Sequence, residues 1–108
     1  MDFEQLRESA QHASRLLKSL ANERRLLVLC HLSQGEKSVG ELERLIDLSQ
    51  SALSQHLARL RRDDLVETRR EAQTIYYRVR SPEALAVLET LYGIYCGDDA
   101  KAQPGGCD

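Results

Sequence analysis

Three cysteines, Cys30, Cys96 and Cys107, are the residues of this chain with the most distinctive chemistry. A thiolate can attack a sulfur electrophile, form a disulfide or bind a soft metal ion. An odd number of cysteines does not indicate a framework of structural disulfides. Cys30 lies among leucines, where a cysteine is commonly a small apolar core residue. The cysteines alone leave core packing, redox chemistry and metal binding open.

Residues 49–62 form a second segment with useful chemistry. Leu53, Leu57 and Leu60 recur at helical spacing, which predicts one buried face. The other faces carry polar and basic residues: Gln50, Ser51, Ser54, Gln55, Arg59 and Arg62. Short hydroxyl and amide side chains let a helix enter the major groove and hydrogen-bond to base edges, and arginines bind phosphates. The same face also suits an ordinary solvated helix, so the neighbouring elements decide between the two interpretations.

The elements around this segment are typical of a winged helix-turn-helix. Hydrophobic spacing predicts helices over residues 3–20, 22–33, 38–46 and 49–62, strands over 66–70 and 74–79, and a last helix from Pro82. Asn22, Ser38 and Ser49 are good N-caps, and Glu41 completes a capping box with Ser38. We therefore expect a mainly α fold with a small β-hairpin, in the order ααααββα.

Positive charge is concentrated in the middle of the chain. The net charge is −2, yet residues 49–80 hold seven Arg against four acidic residues. A local basic face matters more to phosphates than the charge of the whole chain. Near the tip of the predicted hairpin, Arg69, Arg70 and Gln73 fit the minor groove or the backbone of DNA. Double-stranded DNA is the expected partner.

The 108 residues are enough for one domain, expected over residues 1–97, and we expect the Gly- and Asp-rich tail over 98–108 to be disordered. The first and last helices carry apolar stripes too extensive for so small a monomer, which predicts a homodimer. No apolar run reaches the length of about 20 residues that spans a bilayer. The acidic start, Met1-Asp2-Phe3-Glu4, is unlike a signal peptide, so we expect a cytoplasmic protein without membrane contact.

Three segments together resemble the ArsR/SmtB family of repressors: LANERRLLVL at 20–29, LSQSALSQHL at 48–57 and IYYRV at 75–79. The resemblance covers roughly residues 12–96. It implies a dimeric winged helix, joined through its terminal helices, that binds an operator until an inducer arrives. His56 matches the histidine of the motif, where we expect it to support the helix from its inner side. At the wing tip, Ala72-Gln73 replaces the Gly-Arg that the family often has.

The metal sites of this family have no match in the chain. The Cys-x-Cys signature on the third helix falls on Ser38 and Gly40. The zinc pattern of the last helix falls on Ser81, Glu83, Ile94 and Gly97, of which Glu83 alone can bind a metal. No metal or other cofactor is therefore expected.

The placement of Cys30 and Cys96 resembles the persulfide-sensing branch of the family. The resemblance implies that a disulfide or a chain of sulfur atoms bridges the two thiols, with persulfides or polysulfides as inducer, and that DNA is then released. Cys107 has no counterpart and is expected to be incidental. The alternative is a metal- or metalloid-responsive repressor that binds its inducer through a non-standard set of thiolates.

Two other classes fit the sequence poorly. An enzyme is not expected, because His12, His31 and His56 are scattered and no Gly-rich phosphate loop or triad context is present. A module that binds only proteins has no need of a basic recognition helix.

Overall fold

The computed structural model describes residues 2–97. The elements follow in the order α1 (Phe3–Leu20), α2 (Glu23–Leu32), β1 (Lys37–Ser38), α3 (Val39–Leu45), α4 (Gln50–Arg62), β2 (Val66–Glu71), β3 (Thr74–Val79) and α5 (Pro82–Cys96). The helices and the hairpin of the winged helix-turn-helix are confirmed. The tail over 98–108, including Cys107, lies outside the described residues.

Capping side chains define where the helices begin. The Asn22 side chain accepts the backbone N–H groups of Arg24 and Arg25 at the start of α2. Ser38 and Glu41 form the reciprocal capping box at the start of α3. These contacts satisfy N–H groups that the first turn of a helix leaves without partners. Both predicted caps are confirmed.

A short third strand departs from the predicted order. β1 pairs antiparallel with β3, with Lys37 opposite Tyr77 and Ser38 opposite Tyr76, in a sheet of order β1-β3-β2. The order is therefore ααβααββα rather than ααααββα. Two residues carry no detectable periodicity, and their extended conformation depends on a partner strand far away in the sequence.

The hairpin of β2 and β3 forms the wing. Its strands pair from Val66 opposite Val79 to Glu71 opposite Thr74. At the tip, Ala72 has φ 56, in the left-handed region that favours glycine. The tip is thus a tight turn, although it lacks the glycine that relatives often place there.

A core shared with α2 holds α4 in place. Leu53, Leu57 and Leu60 are at most 1% exposed, and they belong to the same core cluster as Val28 and Leu29 of α2. Tight packing of this kind fixes the orientation of a helix. The opposite face of α4 is consequently held at the surface.

Within residues 2–97, no helix is both long and apolar enough to cross a membrane.

Candidate DNA-binding surface and thiol pair

The outer face of α4 presents the polar side chains that the sequence singles out. Gln50, Ser51, Ser54 and Gln55 are all exposed. They lie in the first two turns of the helix, whose start is fixed by Ser49 accepting the N–H of Ala52 at 3.1 Å. A short, polar N-terminal half is what a recognition helix needs to approach base edges.

His56 lies on the inner side of the same helix. It is half-buried, and burial is the main cause that lowers its pKa. The positive charges of Arg25 and Arg24 in α2 lower the pKa further. The partial burial of His56 and its position near α2 are compatible with a supporting role on the inner side of α4, which stays a prediction.

An exposed recess between α4 and the wing is lined by Ser54, Ala58, Arg61, Arg62 and Tyr77. Arg61 and Arg62 are both exposed there. Arginines that border a recess beside a recognition helix are well placed for backbone phosphates. Tyr77 could not be assigned to this surface from the sequence, because only the pairing of the strands brings β3 next to α4.

Arg59 is held in an ion pair near the end of α1, and its side chain is 38% exposed. Its Nε donates to Asp63 Oδ2 at 3.0 Å, and the hydroxyl of Ser19 donates to the same carboxylate oxygen. Ser19 is only 2% exposed, and its carbonyl accepts Arg25 Nε at 2.8 Å. These contacts tie the end of α1 to the end of α4.

Two arginines of the wing differ in their surroundings. Arg69 is in ion pairs with Glu36 and Glu71, and its guanidinium lies over the ring of Tyr76. The hydrogen bond with Glu36 is the main cause that raises the pKa of Arg69 above its usual value. Arg70 donates only to the carbonyl of Ala72, at 3.1 Å, and its side chain is exposed beside Gln73 at the tip.

The thiols Cys30 and Cys96 lie on α2 and at the end of α5, and both are partly buried. Cys30 packs against the core. Burial raises the pKa of the Cys30 thiol, and the negative charge of Cys96 raises it further. The second effect is electrostatic and weakens with the distance between the two sulfur atoms.

Over the range that the structure describes, no group of three or more His, Cys, Asp or Glu side chains is arranged to hold a metal ion. Neither Ser38 nor Glu83 belongs to a metal-binding group among these residues.

Three features define a winged helix-turn-helix DNA-binding protein. They are the shared core of α2 and α4, the exposed polar face of α4, and the adjoining wing formed by β2 and β3. The model of the family described as "Bacterial regulatory protein, arsR family" matches residues 22–68. The chain is 53% identical over 96 residues to the transcriptional activator HlyU of Vibrio cholerae, covering 89% of each chain. It therefore belongs to the arsR family of transcriptional regulators and is not an enzyme.

Solved structures agree with this assignment. A structure described as reduced HlyU from Vibrio cholerae is 54% identical, with a TM-score of 0.83, over 86% of this chain and 98% of that one. The transcriptional repressor BigR from Xylella fastidiosa is 42% identical, with a TM-score of 0.81, over 89% of this chain and 98% of that one.

Proposed function

We propose that this protein is a repressor that binds operator DNA as a homodimer and releases it when Cys30 and Cys96 become bridged. The placement of two partly buried thiols on α2 and at the end of α5 is the observation that carries the proposal, and the contribution of Cys96 to the raised pKa of Cys30 supports it. The name of one relative includes the word repressor, and the structure of another is described as its reduced form.

The proposed interface places α4 in the major groove. Gln50, Ser51, Ser54 and Gln55 contact base edges, because they are exposed at the N-terminal half of the helix. Arg62 and Arg70 bind phosphates on either side, Gln73 extends the wing toward the minor groove, and Arg59 adds positive charge at the end of α4.

The dimer is proposed to form through α1 and α5. Phe3 is 81% exposed, and Leu6, Tyr92, Ile94 and Tyr95 are also large exposed apolar residues on these two helices. A second copy of the chain would remove these side chains from water. Two recognition helices related by a two-fold axis can then enter successive major grooves, about 34 Å apart.

The bridge is proposed to form by sulfur transfer. The thiolate of Cys96 attacks the outer sulfur of a persulfide RSSH, which yields a cysteine persulfide and the thiolate RS⁻. The Cys30 thiolate then attacks the sulfur bonded to the Cβ of Cys96, and HS⁻ leaves. The sulfane sulfur is reduced and the two cysteines are oxidised to a disulfide. If both cysteines first take up one sulfur, attack of one persulfide on the other expels HS⁻ and leaves a three-sulfur bridge.

Cys96 is assigned the first attack because it ends a helix next to Gly97, whereas burial raises the pKa of Cys30 and keeps it protonated longer. A bridge would fix α5, a dimer helix, to α2, which packs against α4. A small shift of α4 in each subunit forfeits contacts at both half-sites.

One experiment tests the whole proposal. DNA from the promoter of the protein's own gene would be titrated with reduced protein, with protein treated with a persulfide donor, and with protein loaded with arsenite or cadmium. Mass spectrometry would identify bridged peptides containing Cys30 and Cys96. Release by the persulfide donor with a bridged peptide supports the proposal. Release by metal alone, with thiolate–metal charge-transfer absorption, supports the metal-responsive alternative and contradicts the bridge.

A further inference from the structure

We infer that Glu36 and Arg69 form a clasp that fixes the wing against the loop following α2, so that Arg69 positions the wing instead of binding a phosphate. The inference rests on the proposed function in one respect, namely that the wing meets DNA.

Three side chains of the protein hold the Arg69 guanidinium, whose side chain is 49% exposed. Its Nε lies 2.8 and 2.9 Å from the two carboxylate oxygens of Glu36, and Nη1 lies 2.7 Å from Oε2 of Glu71. Its Cζ is 4.5 Å from the centre of the Tyr76 ring. A planar guanidinium held on two edges and one face has lost most of its freedom to turn toward a DNA phosphate.

The partners of Arg69 come from separate parts of the chain. Glu36 directly precedes β1, whose Ser38 pairs with Tyr76 of β3, and Tyr76 in turn pairs with Arg69 of β2. The clasp therefore spans the sheet from β1 to β2. This ion pair is a direct polar contact between the wing strand β2 and the α2–β1 loop, and we infer that it sets the angle of the hairpin together with the backbone pairing of β1 and β3.

Hydrogen bonds also connect the clasp to the end of α2, where Cys30 of the proposed thiol switch lies. The loop before Glu36 is bonded to the end of α2, since the Ser33 hydroxyl donates to the Cys30 carbonyl at 2.6 Å and the Gly35 N–H donates to the Leu32 carbonyl at 3.1 Å. A displacement of the end of α2 would thus reach Glu36 and, through Arg69, the wing.

A second ion pair of the wing provides the matched control. Glu67 accepts from Arg78 Nε at 2.6 Å, but both residues belong to the hairpin itself. Glu36→Gln and Glu67→Gln each remove one negative charge and one ion pair with an arginine. Only the first substitution removes an ion pair between the wing and the α2–β1 loop.

The direction in which Glu36→Gln changes the affinity for DNA tests the inference. Removal of an acidic charge from a DNA-binding protein favours binding through electrostatics, and it would also free Arg69 for a phosphate. The clasp requires the opposite for Glu36→Gln: affinity for the promoter DNA falls about three- to tenfold, a change of the size expected for losing a well-formed ion-pair network. Glu67→Gln should bind as tightly as the wild type or more tightly. Equal or tighter binding by Glu36→Gln overturns the clasp.

Two further measurements separate positioning from a direct contact. Arg69→Lys keeps the charge but not the forked geometry, so it should bind as weakly as Glu36→Gln with an unchanged salt dependence. The double variant Glu36→Arg/Arg69→Glu should recover part of the affinity. Amide hydrogen exchange over residues 66–79 should accelerate in Glu36→Gln and Arg69→Lys but not in Glu67→Gln, and unchanged exchange would refute the clasp.

The proposed DNA-binding surface fails by a different result. Arg62→Ala and Arg70→Ala should each lower affinity on every DNA sequence and reduce the salt slope by about one unit per phosphate contact. If both bind with an unchanged slope, the proposed surface is wrong, while the hydrogen-exchange result still decides the clasp.

Discussion

The side chains on the outer face of α4 differ from those of an average solvated helix in being short. Gln50, Ser51, Ser54 and Gln55 are exposed, and within residues 2–97 no salt bridge or side-chain hydrogen bond holds them against the protein. Serine side chains cost little conformational entropy when they meet DNA, and the amides of glutamines can form paired hydrogen bonds with adenine. The chemistry of the face therefore favours recognition of bases over mere attraction to phosphates.

Substitution at this face should separate specific from non-specific binding. We expect Ser54→Ala and Gln55→Ala to weaken binding to the promoter DNA by about 1–3 kcal/mol each, because each loses hydrogen bonds to base edges. Binding to random DNA should change much less. Fluorescence anisotropy titrations with both DNAs at one salt concentration measure the difference. Equal losses on both DNAs would show that these residues contact only the backbone.

Some residue roles were predictable from the sequence and others were not. The exposure of Ser54 and Gln55 follows from the spacing of Leu53, Leu57 and Leu60, which is a local property. The ion pairs of Arg59 and Arg69 depend on side chains that the fold brings near, above all Ser19 beside Asp63 and Glu36 beside Arg69. An arginine beside a recognition helix looks the same in sequence whether it meets a phosphate or a carboxylate of its own chain.

Some of the secondary-structure elements were likewise predictable from the sequence, and others were not. The starts of α2 and α3 were predictable because a cap acts over three residues, as with Asn22 and Ser38. β1 was not predictable, because Lys37 and Ser38 are extended only by virtue of pairing with Tyr77 and Tyr76. The two thiols were placed on the correct helices, but the distance between them depends on how α2 and α5 pack, which the spacing of residues does not give.

Asp63 is the group that joins the end of the recognition helix α4 to α1. Burial opposes the ionisation of its carboxyl group, but the hydrogen bonds from Ser19 and Arg59 outweigh this and lower its pKa. A pKa that is lower in the folded protein means that the charged carboxylate stabilises the fold above the unfolded pKa of about 3.9. That contribution is lost as the pH falls through the folded pKa.

We expect Asp63→Asn to lower the free energy of unfolding by about 1–2 kcal/mol at pH 7, because it weakens a charge-assisted hydrogen-bond network. The deficit relative to the wild type should shrink as the pH drops below about 4, where the wild-type carboxylate becomes protonated. Urea unfolding at several pH values measures both effects. The neighbouring Asp64→Asn is the matched control, since Asp64 is exposed and its contact with Arg80 is 3.5 Å long. A deficit for Asp63→Asn that does not depend on pH would contradict the role of its charge.

The whole molecule has an uneven distribution of its apolar surface. Leu53 and Leu57 are buried completely or nearly so, whereas α1 is exposed along most of its length, with Phe3 at 81% and Leu17 at 55%. A helix with an exposed apolar stripe gains its stability from packing against another surface. The terminal helices are therefore the parts of the chain that most need a second copy.

We expect the protein to sediment as a dimer at micromolar concentration. Leu6→Asp in α1 or Ile94→Asp in α5 should shift it toward the monomer, because a charge placed in an apolar interface must lose its hydration. The DNA affinity should fall together with the dimer population, since one recognition helix contacts only one half-site. Glu8→Asp in α1 serves as a control that adds no charge. A wild-type monomer that still bound the promoter DNA tightly would disprove the dimeric interface.

The proposed thiol switch would affect the whole molecule. A bridge between Cys30 and Cys96 would connect the dimer helix α5 with α2, the helix that packs against α4. Cys30→Ser and Cys96→Ser should each bind DNA like the reduced wild type, since neither thiol lies on the face that contacts bases. Each variant should fail to release DNA after treatment with a persulfide donor, because a bridge needs both sulfur atoms. Cys107→Ser should respond like the wild type and is the matched control.

A purely structural role for Cys30 gives a different outcome. Cys30 packs against the core, so its replacement by Ser would lower the melting temperature and leave the response to persulfide intact. Measuring thermal unfolding and DNA release on the same Cys30→Ser sample distinguishes the two cases. Mass spectrometry of the treated Cys30→Ser protein should show a persulfide on Cys96, since the first attack is assigned to that thiol and its resolving partner is gone. Persulfide-driven release by Cys30→Ser would refute the two-thiol switch, whatever Cys96 carried.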